Sequence, residues 1–321
     1  MARLAVERLL MRLPYTARVK RLLVAVCVVL AVAACGSIDA TTPSPTALPP
    51  VAAQVGPTTI YVAQLNLRIG IALVQLQQAG APTPSSLSDP MLDKLRASVL
   101  RGLVDDAVIG QGAVAAHVAV TESDIDAEVQ RDASSAGGMD ALQTQLAQAG
   151  GSLDSLRDEI GSRINEQNLE NVFAQQRAAQ VIASLGQGQS FATLAPEFSD
   201  DQTSIPKGGD LGAISTATLN GDDPMFKAIV IALHVGQLTT APVRDAAGYE
   251  ILRLDAIGAG GYSVHRILVA APNPYTVRER PAWFQESLVS ALLGLCNQNQ
   301  VHVLIPGAPQ LCVPASPSPS P

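Results

Sequence analysis

Aromatic side chains are scarce in this 321-residue chain: Phe, Tyr and Trp make up 3% of it, with one Trp. A packed core must therefore come from Leu, Val, Ile and Ala, which the 47% hydrophobic content can supply. Basic residues are also few once the N-terminus is set aside. The first 34 residues hold six of the 21 basic residues and one of the 28 acids, leaving 15 against 27 and a net charge of −12. A surface of that sign repels a phosphate backbone, so nucleic acid is not an expected partner. Histidine is limited to four residues, and His117 has no second His or Cys near it in sequence to make a metal site. The acidic residues Asp200, Asp201, Asp210, Asp222 and Asp223 match no calcium-loop spacing and read as solvated loop charges, so no metal or cofactor is expected.

Long apolar runs are missing too. Leu22 to Ala34 is apolar but only about thirteen residues long, behind a basic stretch, which is short for a membrane span and suits a secretory signal core. It ends in Val32-Ala33-Ala34-Cys35, which looks like a bacterial lipobox with Cys35 as the lipidated residue; an ordinary signal peptide or a buried Cys is the plainer alternative. Gly36 to Pro50 is rich in Ser, Thr and Pro and reads as a tether. With Cys27 leaving in the signal and Cys35 modified, Cys296 and Cys312 remain as an even pair in an oxidising compartment, either bridged or as two separate thiols.

Helical periodicity covers the next region. Val51 to Tyr61 has a strand-like character around Gly56-Pro57, and a helix is expected over 62–78. Helical spacing returns at Pro90 with Leu92, Leu95, Val99 and Leu103 and runs to about His117. Thr121 and Asp124 form a capping-box start, and the diglycines 137–138 and 150–151 divide helices at 122–133, 139–149 and 152–185. The passage LRASVLRGLVDDAVIGQGAVAAHVAVTESDIDAEV, followed by SLDSLRDEIGSRI, resembles the N-terminal chaperone region of the SurA and PrsA families. That resemblance implies a cradle for unfolded chains.

The blocks FATLAPEFSDD, GGDLGAIS, PMFKAIVIAL, GQLTTAPV and GYEIL follow in order between Ser190 and Leu254. Read from the residues, they give a short amphipathic helix, an acidic loop, a diglycine turn into a strand, a helix opened by Pro224, and a final strand. In order and spacing they resemble the parvulin-type peptidyl-prolyl isomerase domain. The resemblance implies that Asp201 stands at a position that is Cys in some members and Asp in many bacterial ones. Leu219 falls near the family's pocket Met, Phe226 at its pocket Phe, and Met225 beside it. Phe226 is equally readable as a core residue of its helix and Asp201 as a turn cap.

Three features depart from that family. Glu250 replaces the histidine of the G-Y-H-I-I strand, residues near Gly221-Asp222 lengthen the pocket loop, and Pro196 interrupts the first helix. The opening strand, A-S-H-I-L-V in the family, is missing before Gly186; a similar string, Val264-His265-Arg266-Ile267-Leu268-Val269, comes after the final strand and suggests a permuted order. A hairpin of 249–257 with 262–270 is expected to put His265 opposite Leu254, on the same face as Glu250. His265 is then a further candidate catalytic residue beside Asp201 and Glu250, or a partly exposed strand residue.

The expected fold class is α+β, a helical SurA-N-like module plus a parvulin-like antiparallel sheet of the FKBP-like superfamily. Expected boundaries are 1–34 signal peptide, 35–50 tether, 51–185 helical module, 186–272 parvulin-like domain, 273–312 returning helix and strand, and 313–321 tail. The function implied is that of a lipid-anchored folding factor of the bacterial cell envelope, binding unfolded exported polypeptides. Its prolyl isomerase activity is weak or absent; an active isomerase is the alternative. A solute-binding lipoprotein is the third reading, and it lacks the two-lobed alternation of strands and helices. The sequence leaves the oligomeric state open.

Overall fold

The computed structural model describes residues 49–86, 89–272, 280–306 and 310–312. Cys35, the signal stretch and the C-terminal tail lie outside them. Among the described residues no helix is long and apolar enough to cross a membrane.

The chain begins with a hairpin, β1 (Val51–Val55) and β2 (Thr58–Tyr61), turned at Gly56, whose φ of +52° suits glycine. Helix α1 (Val62–Gln78) follows, then α2 (Pro90–Ala115), where the Asp89 carboxylate accepts from the Met91 amide at 2.9 Å and Pro90 fills the first turn. Helix α3 (Glu122–Ala136) starts on the expected reciprocal cap: the Asp124 amide donates to Thr121 Oγ1 at 3.3 Å and the Thr121 amide to Asp124 Oδ2 at 3.0 Å. Gly137, in the left-handed region, ends it; α4 (Met139–Gln148) and α5 (Leu153–Gly186) complete the helical stretch.

At 34 residues α5 is about 50 Å long, and it spans three cores. Its first turns bring Leu156 and Ile160 against Ile125, Val129 and Leu142 of α3 and α4. Leu169 joins the core of β1, α1 and α2. Ala174, Ala178 and Val181 pack on the sheet further along the chain. A helix used this way sets the spacing of everything it touches.

That sheet is assembled from β3 (Asp210–Ile214), β4 (Val243–Arg244), β5 (Gly248–Gly258) and β6 (Gly261–Ala270), in the spatial order β3-β6-β5-β4 and antiparallel throughout. The last strand in sequence thus lies between two earlier ones. One face carries Tyr249, Ile251, Ile267 and Val269 against α5 and α6 (Phe191–Phe198). The other carries Leu252, Leu254 and Val264 against α7 (Thr216–Asn220) and α8 (Pro224–Ala232). Helix α6 runs through Pro196 and ends two residues later, so the proline is accommodated rather than breaking the helix.

The chain then returns to its beginning. In α9 (Ala282–Asn297), Phe284, Leu288 and Leu292 are buried in the first core, and β7 (Val301–Val303) pairs with β1, giving a second sheet ordered β2-β1-β7. Arg280 fixes the return: Nε and Nη2 donate to the two oxygens of Glu166 at 2.5 and 2.9 Å, and Nη1 reaches Asp105 at 3.4 Å. In the last turn of α9, Cys296 meets Cys312 with Cα atoms 5.5 Å apart, within bridging distance.

That pair is expected to be oxidised in the native protein. Mass spectrometry after alkylation without reductant should find neither thiol labelled, and Cys296→Ser with Cys312→Ser should lower unfolding stability by about 3 kcal/mol for a loop of this length. Two alkylated thiols would contradict the pairing.

Candidate functional site

The diglycine turn 208–209 is where the sequence blocks become geometry. Gly209 has φ +88°, its carbonyl accepts from the Arg266 amide at 2.8 Å, and a Cβ there would stand 2.6 Å from the Arg266 carbonyl oxygen. Only glycine lets the turn approach β6 this closely. The close approach places Asp201, on the loop after α6, beside the Arg266 side chain, with Asp201 Oδ2 3.7 Å from Nη1.

Arg266 is the centre of the site. Its Nε donates to Glu250 Oε2 at 2.8 Å and its Nη2 to Glu250 Oε1, a bidentate arrangement, and its guanidinium lies over the Phe226 ring with Cζ 5.4 Å from the centroid. Glu250 is fully buried and Arg266 about one-fifth exposed. Burial pushes the Glu250 carboxyl up to about 7, with the Arg266 charge pulling the other way. For Arg266 burial favours the neutral form, but Glu250, Asp201 and Asp245 outweigh it and hold the guanidinium above its ordinary value. Asp201 is lowered: its own burial is outweighed by hydroxyl donors from Thr203 and Ser204, both at 2.7 Å, and by the Arg266 charge.

The apolar candidates sit against this group. Leu219 and Phe226 are packed in the core formed with Leu252, Leu254 and Val264, at 1% and 3% exposure, whereas Met225 is 46% exposed at the start of α8. Asp223 caps that helix, accepting from the Met225 amide at 2.7 Å. Phe226 in this state presents almost no free surface.

His265 lies elsewhere. Strand register pairs it with Arg253, not Leu254, because a bulge between Leu254 and Ala256 inserts one residue into β5. A shift of one residue exchanges faces, so His265, Ile267 and Val269 share a face with Tyr249 and Ile251, and Glu250 shares its face with Leu252 and Arg266. The expected common face for Glu250 and His265 is thereby corrected. On its own side His265 holds Asp255 through Nδ1 at 2.5 Å and packs edge-on to Phe191, with ring centroids 5.5 Å apart. Asp201, Glu250, Leu219 and Phe226 are brought together, with Met225 at the rim, and His265 is not among them. Among the described residues no group of three or more His, Cys, Asp or Glu side chains is placed to hold a metal ion.

Comparison with known proteins bears on this geometry. The SurA-like N-terminal domain description matches residues 14–185, more than half of the chain. The chain belongs to the SurA-like family. A PPIC-type PPIase domain description matches residues 160–256 of this SurA-like chain and stops short of β6, so the strand that carries Arg266 lies beyond the matched segment. Among relatives, the foldase protein PrsA of Geobacillus kaustophilus is 26% identical over 198 residues, covering 54% of this chain and 67% of that one. The chaperone SurA of Chromohalobacter salexigens is 35% identical over 96 residues, 30% of this chain and 20% of that one. The foldase protein PrsA 2 of Bacillus cereus is 35% identical over 83 residues, 26% and 28% respectively. The latter two matches therefore span less than a third of each relative's length.

Arg266 is the residue that reading the sequence of this SurA-like protein missed. Set position by position against A-S-H-I-L-V, the string Val264 to Val269 puts Arg266, not His265, at the histidine. Arg266 and Glu250 face each other across β6 and β5 as an ion pair.

At pH 8, where both groups are charged, Arg266→Leu is expected to cost about 3 kcal/mol or more in urea unfolding, since it strands a buried carboxylate. Glu250→Leu with Arg266→Leu should cost less than that single change; additive losses would contradict the pair. The folded Glu250 carboxyl titrates above its ordinary value of 4.5, so it binds its proton more tightly folded than unfolded. Its contribution to stability is fully present below 4.5 and is lost as the pH rises to about 7. Unfolding of Glu250→Gln at several pH values should lack that slope; an unchanged slope would assign it to another group.

Proposed function

We propose that this protein is a folding factor of the bacterial cell envelope, anchored by a lipid on Cys35, that binds unfolded exported polypeptides and isomerises prolyl bonds weakly or not at all. The observation that carries the reading is the combination of a SurA-like N-terminal match and a PPIC-type match with a buried Glu250 that is held by Arg266 as an ion pair. Prolyl isomerisation requires a twisted amide to be favoured against a barrier of about 18–20 kcal/mol, by an apolar grip on the ring and polar groups near the carbonyl. The Glu250 oxygens accept from Arg266 and the Arg266 donors nearest them are committed to that pair, so neither side chain is free to donate to a substrate carbonyl as a neutral imidazole could.

Support for client binding comes from the N-terminal region. A cleft between β2, α1, α2 and α5 has Leu67 and Leu103 on its walls with Arg68, Asp106 and Asp158 around them, and it lies beside β2, an edge strand of its sheet. Mixed apolar and charged lining suits polypeptide segments of varied sequence. In this reading residues 51–185, together with the returning α9 and β7, form the binding part, and 186–272 the parvulin-like domain between them.

A second reading, an active isomerase, draws on Asp201 and Phe226 standing beside Arg266. If turnover is present, replacing either with Ala should abolish it. The ranking predicts that the purified protein slows aggregation of an unfolded test protein, that Asp201→Ala does so equally well, and that a protease-free prolyl isomerase assay finds little turnover. Robust turnover with no suppression of aggregation would reverse it. For the anchor, Cys35→Ala should release the protein from the membrane fraction or leave it unprocessed; normal processing and unchanged membrane association would remove the lipid from the account.

A further inference from the structure

We propose that Arg266, positioned by Glu250, limits the isomerase-like site by occupying the face of Phe226 on which a proline ring would have to stack. The inference rests on the reading of Phe226 as the proline-gripping residue given above, and it names the group that keeps that residue from its ligand.

Three observations carry it. First, the guanidinium is a flat cation lying over the ring, with Cζ 5.4 Å from the centroid, while Phe226 is left 3% exposed. Its helix nonetheless begins at the surface, where the preceding Met225 is 46% exposed and Pro224 is exposed as well. The ring is packed on its other sides by Leu219, Leu252, Leu254 and Val264, and the Arg266 guanidinium lies over its remaining face.

Second, that cover is tied down. Nε and Nη2 are held by a carboxylate that has no exposure, and the Arg266 amide is bonded to Gly209 at 2.8 Å. Nη1 stands 3.7 Å from Asp201, beyond hydrogen-bond reach but attracted by its charge. To bare the ring, the guanidinium must give up its two contacts with a fully buried carboxyl group, which a single neutral proline ring does not compensate.

Third, Glu250 cannot follow Arg266 outward. It lies on β5 between the pairings of Tyr249 with Val269 and Ile251 with Ile267, in the interior of the sheet. Arg266 is thus the movable cover and Glu250 the fixed residue that positions it.

The test is turnover of a Xaa-Pro tetrapeptide in a protease-free assay, using the purified protein and folded variants checked by circular dichroism. Glu250→His with Arg266→His should raise turnover at least tenfold over the wild type, and adding Phe226→Ala should abolish the gain. Should the double variant fail to fold, Arg266→Lys keeps a charge opposite Glu250 without a planar group on the ring and should raise turnover at least threefold. A folded double variant with wild-type turnover would overturn the proposal. So would a wild type whose measurable turnover is lost in Arg266→Lys, since Arg266 would then be a donor to the ligand and not a cover. Aggregation suppression measured on the same wild-type sample separates the two claims, because its absence removes the folding-factor reading and leaves the effect of Arg266 on turnover as found.

Discussion

The insertion of β6 between β3 and β5 is the constraint on which the rest of the structure depends. A strand paired on both sides has both of its faces covered by helices here: Ile267 and Val269 pack beneath α5 and α6, and Val264 packs under α8. Each fully buried aliphatic side chain contributes roughly 1.5–3 kcal/mol, so Ile267 and Val264 alone outweigh any single hydrogen bond of the sheet. The same strand closes the circuit of the chain, because the segment after it leads to α9 and β7, which complete the first core and the first sheet. Remove β6, and both the diglycine turn and the Glu250 carboxylate lose their partner.

Electrostatics then follow from where β6 puts its one arginine. Arg266 and Glu250 lie on the helix-covered face that holds α7 and α8, and a charge there is tolerable only as half of a pair. On the opposite side of the domain, Asp200 performs a similar bridging task in a wetter setting. One of its oxygens accepts from the Ala270 amide at 2.8 Å and from Trp283 Nε1 at 3.1 Å, linking the loop after α6 to β6 and α9. Burial raises that carboxyl above its usual range, against those donors and the nearby Arg177. The lone Trp of the chain is therefore a joint between the sheet and the returning helix.

Much of this was legible in the residues. Thr121 and Asp124 mark the start of α3, Gly137 its end, Pro224 the opening of α8, and Gly209 the turn, because caps and left-handed glycines act through local sterics and short-range hydrogen bonds. The α+β class could be read from helical and alternating periodicities in sequence. Two things could not. Strand register depends on a bulge near Asp255, a residue with no distinctive chemistry in sequence, and that single insertion moved His265 from the side of Glu250 to the side of Phe191. The role of Arg266 depends on a partner sixteen residues away whose burial is visible only when the sheet is formed.

Amide hydrogen exchange across the four-stranded sheet tests the central placement of β6 most directly. With β6 inside the sheet, the amides of Arg266 and Leu268 should exchange as slowly as those of Ile251 and Leu252 on β5, by opening of the whole domain. Arg266 donates to Gly209 at 2.8 Å, Leu268 to Ser199 Oγ at 3.3 Å, and Leu252 to Thr239 Oγ1 at 3.2 Å. Fast exchange at Arg266 and Leu268 alongside slow exchange in β5 would mean that β6 is an edge or a loose strand. It would contradict both the permuted sheet and the site built upon it.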